Sequence, residues 1–195
     1  MGFSLSWAAV KDGMPQAVQE VLALHSTGAR EEIPESDVTG AELPGGWYLI
    51  VSNHDGLQLT KDAVLRRLSQ VGEVVMCLVE EHVMCSFAAG WREGRSVWSV
   101  LHDAQAGIEH LDVTGELPAP FGCIRDRLQA EQAAAGGKNA GVDYIFDIPV
   151  QLAHTLTGYQ HDVDIPELSQ DAFEVLVSAN LAQERRSWWK KLTGR

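Results

Sequence analysis

The sequence predicts an α+β fold: a mostly antiparallel sheet of about five to six strands, helices packed on it, and a helical C-terminal third. Three observations carry this. The first ten residues alternate apolar and small or polar side chains with the period of a strand. From Glu73 to Thr114 the pattern is β-rich with short links, which makes neighbouring strands antiparallel. Helical spacing then returns after Pro120. A chain of 195 residues is long enough for one core and short for two ordinary domains, so residues 1–195 read as a single α+β domain.

The elements follow in order. Phe3, Leu5, Trp7 and Ala9 form one face of the first strand. A helix follows, with Asp12 placed to cap it, Pro15 in its first turn and Ala17, Val18, Val21 and Leu22 on one side. Residues 25–45 hold two prolines and three glycines without a sustained period, and read as a long acidic loop, of a length that marks a lid or a mobile segment in compact domains. "GWYLIVSN" reads as a strand buried on both faces and "NHDG" as a turn. Thr60 is placed to cap a helix whose stripe is Val64, Leu65, Leu68 and Val71. "EVVMCLV", a hairpin over 81–103 and "GIEHLDVTG" supply four strands. Phe121, Ile124 and Leu128 mark a helix that stops at "GGKNAG"; Asp147, Pro149 and Gly158 frame a shorter one. Ser169 then begins a C-terminal helix of about 170–192, in which Phe173, Leu176, Val177, Asn180 and Leu181 repeat at helical spacing and acids precede bases.

The net charge is −12, and removing the five bases Arg185, Arg186, Lys190, Lys191 and Arg195 takes the first 184 residues to −17. Such a body repels phosphate backbones, which argues against general nucleic-acid binding, and attracts a basic protein partner. Three cysteines cannot all pair within one chain, and no CxxC spacing is present, so reduced thiols in a cytoplasm are expected. The N-terminus makes a poor signal peptide, and no apolar run reaches the roughly 18 residues of a membrane span.

With the hairpin turn centred between Glu93 and Gly94, Cys85 stands opposite His102, Phe87 opposite Val100 and Ala89 opposite Trp98. Both hairpin faces are largely apolar, which calls for a sheet covered by helices on both sides. A thiol beside an imidazole is the minimum for a Cys–His nucleophile, and Asp55 or Asp143 is available to orient the base. The alternative is a cysteine that packs as a small hydrophobe, and a one-residue bulge would remove the pairing altogether. His54-Asp55, His102-Asp103 and His161-Asp162 offer metal-ligand residue types, but His102 and Asp103 are adjacent on a strand and point to opposite faces. Glu80-Glu81-His82 reads as a solvated strand junction. No H-E-x-x-H helix, no dense ligand cluster and no phosphate-cradling glycine motif occur, so neither a metal nor a nucleotide cofactor is expected. The tail "ERRSWWKKLTGR" places Trp188 and Trp189 beside Arg185 and Arg186, a candidate binding segment for an anionic surface or a partner groove.

"GWYLIVSN", "VEEHVMCS", "GWREGRSVWSVLHDAQ" and "VDYIFDIPVQLAHTLTGY" together resemble a group of uncharacterised bacterial proteins of similar length. The resemblance implies a bacterial cytoplasmic setting and brings no activity with it. The sequence therefore points first to a non-catalytic acidic module that binds another protein as an accessory or inhibitor. A small hydrolase built on Cys85 and His102, or on a metal held by histidine and carboxylate, is the alternative.

Overall fold

In a computed structural model, which describes residues 2–54 and 56–178, the chain forms one antiparallel nine-stranded sheet with four α-helices. The order along the chain is β1 (Ser4–Lys11), α1 (Pro15–Val21), β2 (Leu24–Glu31), β3 (Val38–Leu43), β4 (Trp47–Asn53) and α2 (Asp62–Leu68). There follow β5 (Glu73–Glu80), β6 (Cys85–Arg92), β7 (Arg95–Asp103), β8 (Asp112–Gly115), α3 (Phe121–Ala134), α4 (Asp147–Thr157) and β9 (Phe173–Ser178). Across the sheet the strands run β2-β9-β3-β4-β1-β5-β6-β7-β8.

The α+β class and the antiparallel sheet hold, but nine strands replace the expected five to six, and the helices are not gathered at the C-terminal end. Two of the extra strands, β2 and β3, lie in the stretch expected to be a loop or lid. The third is β9: Phe173, Leu176 and Val177 sit in a strand that pairs with β2 and β3, so the expected helix does not begin at Ser169. Residues 179–192 of that expected helix lie outside the described residues. The expected caps also differ, because α1 and α2 begin after Met14 and Lys61 with no side-chain cap hydrogen bond.

The central strands β1, β4 and β5 bury both faces, whereas in the hairpin β7 fully buries only the face of Trp98, Val100 and His102. Leu5, Trp7, Leu49, Val51, Val75, Cys77, Ala88 and Val100 face α3 and α4, joined by Leu128, Ile148 and Leu152 from those helices. Ala8, Val10, Ile50, Val74, Met76 and Ala89 face the other way, against Val18 of α1 and Leu65 and Leu68 of α2. Fully burying each large side chain in these layers stabilises the fold by roughly 1.5–3 kcal/mol. Gly158 ends α4 in the left-handed conformation at φ 81°, the conformation that its sequence position predicts, and turns the chain back along the sheet. No helix among the described residues is long and apolar enough to cross a membrane.

The two sheet edges differ from the middle. β2 is exposed along most of its length, and its pairing with β9 shifts between Ser26 and Arg30, around Gly28 at φ 78°. β8 has only four residues, all exposed.

Candidate functional site

The β6–β7 turn lies where the sequence places it, with Glu93 at φ 49° and Gly94 at φ 76°. Two positive φ values are the signature of the tight hairpin turn that matches strand twist. Near the turn Arg92 pairs with Arg95 and Trp91 with Ser96, but Gly90 then pairs with Trp98, so Val97 is an extra residue on β7. Trp98 lies across Gly90 so closely that a Cβ there would stand 2.0 Å from its indole nitrogen. Only glycine permits this approach.

The bulge shifts every pair beyond it. Cys85 stands opposite Asp103, and His102 opposite Ser86, so the expected pairing of Cys85 with His102 is not formed. Phe87 likewise stands opposite Leu101 rather than Val100, and Ala89 opposite Ser99 rather than Trp98. Cys85 lines a small cavity of about 260 Å³ with Ser4, Ser6 and Glu80. Burial, then Asp103 and Glu80, push its thiol pKa up, which disfavours the thiolate that a nucleophile needs.

His102 is fully buried on the other face. Its Nδ1 is 2.8 Å from the His110 carbonyl and its Nε2 is 3.0 Å from Asp143 Oδ2. A carbonyl only accepts, so Nδ1 is the donor in that bond, and Nε2 is engaged by the Asp143 carboxyl. The other Asp143 oxygen accepts the backbone N–H groups of Ile145 and Phe146, both at 3.1 Å, just ahead of α4. Ser86 donates to the Phe146 carbonyl at 2.6 Å, and His110 Nδ1 accepts the Asp103 N–H at 3.0 Å. Asp143 does arrive beside His102, as an orienting residue would. Yet neither ring nitrogen is left to take a proton from a nucleophile, so the cluster clamps β6, β7 and α4 together.

A second polar group of residues lies where the chain returns after α4. Tyr159 is 3% exposed and sits edge-on to Trp7, with ring centres 5.3 Å apart. His161 sits edge-on to Phe3 at 4.7 Å, and its side chain is 4% exposed. Among the described residues, the Tyr159 hydroxyl and both His161 ring nitrogens have no hydrogen-bond partner. Glu81 Oε1 is 4.0 Å from Nε2, and Asp162 Oδ1 is 3.9 Å from Nδ1, beyond hydrogen-bond reach. Burial lowers the His161 pKa, against the upward pull of Asp162 and Glu81, and so favours a neutral ring.

Tyr159 and His161 line a cleft of about 650 Å³, closed on its far side by Glu32, Ile33 and Pro34. Among the described residues, its walls carry the carboxylates of Glu32, Asp162 and Asp164 and no lysine or arginine. Nearby, Asp147 is pushed up to about 6 by burial, then by Asp162, Asp143 and Glu131, against the opposing effect of Arg127.

The three His-Asp pairs do not converge. His102 and Asp103 point to opposite faces, His161 and Asp162 belong to the cleft, and Asp55 lies outside the described residues. Among the described residues, no group of three histidine, cysteine or acidic side chains could hold a metal ion. Arg185, Arg186, Trp188 and Trp189 lie outside the described residues. Sequence reasoning missed Tyr159 and the cleft. The one available signal was "GYQHD" directly after a helix-ending glycine, which places a tyrosine and a histidine in a return segment across the sheet.

No family model, no curated protein and no solved structure matches the chain.

Proposed function

We propose that the protein is a non-catalytic binding module of the bacterial cytoplasm that presents an acidic cleft to a basic protein partner. The observation that carries this reading is the cleft itself, whose walls, among the described residues, hold three carboxylates and no lysine or arginine. Among the described residues no lysine or arginine pairs with these carboxylates; Asp162 stands 3.9 Å from the His161 ring and accepts a hydrogen bond from Gln160 at 2.8 Å, so most of their field is left for an incoming charge. The net charge of −12 adds long-range attraction for the same class of partner. The half-buried Cys85 thiol opposite Asp103 and the doubly bonded His102 give the hydrolase alternative no comparable support.

The reading is tested by fluorescence anisotropy with dye-labelled basic and acidic peptides of equal length. The expected outcome is saturable binding of the basic peptide alone, weakening as salt rises toward physiological ionic strength, where the screening length is about 8 Å. Equal responses to both peptides, or no response to either at low salt, would overturn it.

A further inference from the structure

The acidic cleft holds more than charge. The side chains of Tyr159 and His161 are both nearly inaccessible, both line it, and among the described residues both leave hydrogen-bonding atoms unpaired. Native interiors pair the great majority of such atoms, because leaving one unmade costs its full desolvation. Two neighbouring side chains that break this rule, on the wall of one cleft, point to groups that a ligand completes. The available atoms narrow its chemistry. A neutral imidazole offers one accepting nitrogen and one N–H, a phenol both accepts and donates, and Glu32, Asp162 and Asp164 only accept when ionised, so acceptors outnumber donors. The ligand must therefore bring several donors and a positive charge. It must also tolerate the apolar surfaces of Ile33, Pro34 and Phe173.

We infer that the cleft is a socket for an arginine side chain of the basic partner, a proposal that rests on the binding reading above. A guanidinium presents five N–H donors in a flat fork and is more weakly hydrated than an ammonium. It meets the carboxylates at the rim with its charge and the Tyr159 and His161 acceptors with its remaining donors. Its methylene stem lies against Ile33 and Pro34. A lysine supplies the same charge but fewer donors from one point, and leaves more of the acceptors unpaired.

The test compares two dye-labelled peptides, one alternating arginine with leucine and one alternating lysine with leucine, on the full chain. Three variants accompany it: Tyr159→Phe, the pair Asp162→Asn with Asp164→Asn, and a control pair with the same charge change, Glu20→Gln with Glu93→Gln. The last two residues are exposed and stand on α1 and in the β6–β7 turn. The arginine peptide is expected to bind about tenfold more tightly than the lysine peptide, and the cleft pair to weaken it by about tenfold. The control pair should change it less than about twofold. Tyr159→Phe should weaken the arginine peptide several-fold while the protein melts no earlier, a combination that a merely structural hydroxyl would not give. Equal affinity for the two peptides, or equal effects of the cleft and control pairs, overturns the socket and leaves the acidic-surface reading standing. No binding of either peptide at low salt overturns both.

Discussion

His102 and His161 are both followed by aspartate and both have side chains no more than 4% exposed, yet they have opposite surroundings. The ring of His102 is bonded at both nitrogens, to a carbonyl and to a carboxylate that itself holds the start of α4. Among the described residues the ring of His161 has no hydrogen bond at either nitrogen, and the carboxylates beside it stand back at 3.9 and 4.0 Å. Burial alone thus does not identify a functional histidine. A buried ring with every bond made is part of the scaffold, whereas one with its bonds unmade retains capacity for something else.

The largest effect expected from this contrast is at the closed site. His102→Ala leaves the buried Asp143 carboxylate without its partner, and should cost about 3–5 kcal/mol of stability by urea denaturation at neutral pH. A loss below about 1 kcal/mol would break the comparison, since it would mean that the clamp holds nothing.

Asp147 sharpens the contrast, because Asp143 and Asp162, one from each region, both act on it. Its folded pKa of about 6 lies above that of an aspartate in the unfolded chain. Its contribution to stability is therefore full in acid and lost as pH rises through about 6. Asp147→Asn removes that loss: the variant should gain about 1–2 kcal/mol over the parent at pH 8, after discounting for partial exposure, with the gain fading toward pH 4. Paired urea titrations at the two pH values measure it, and a gain that is the same at both would refute the carboxylate coupling.

The smallest effect belongs to the open site. Tyr159→Phe deletes a hydroxyl that has no partner among the described residues, and should leave the free protein unchanged or stabilise it by about 1 kcal/mol, read as a slightly higher Tm. Destabilisation above about 1 kcal/mol would show that the hydroxyl belongs with the closed site rather than the open one.

The same contrast separates what was legible in the sequence from what was not. The hairpin turn was legible because Glu93-Gly94 lies between two apolar runs, and α4 because Pro149 and Gly158 bracket it. The pairing of Cys85 with His102 was not, because one extra residue at Val97 reverses which side chains meet, and that bulge comes from Trp98 lying over Gly90. β2 gave no alternation to read, since from His25 to Arg30 it is exposed on both faces. β9 was misread because in six residues Phe173, Leu176 and Val177 satisfy helical spacing as well as a strand does, and only its pairing with β2 and β3 decides. The clamp needed Asp143 and His110, which come from loops that only the folded chain brings beside His102. The cleft was illegible for a related reason, since its opposite walls are more than a hundred residues apart in sequence.

The shape of the two outer strands bears on self-association. A sheet that ends in a long straight strand invites another copy to add its own, which is the usual route to edge-to-edge aggregates. Here β8 offers a donor row only four residues long, and β2 is bent by its register shift at Gly28. Neither outer strand templates a regular intermolecular ladder, so the broad sheet can be carried without becoming the seed of a fibre.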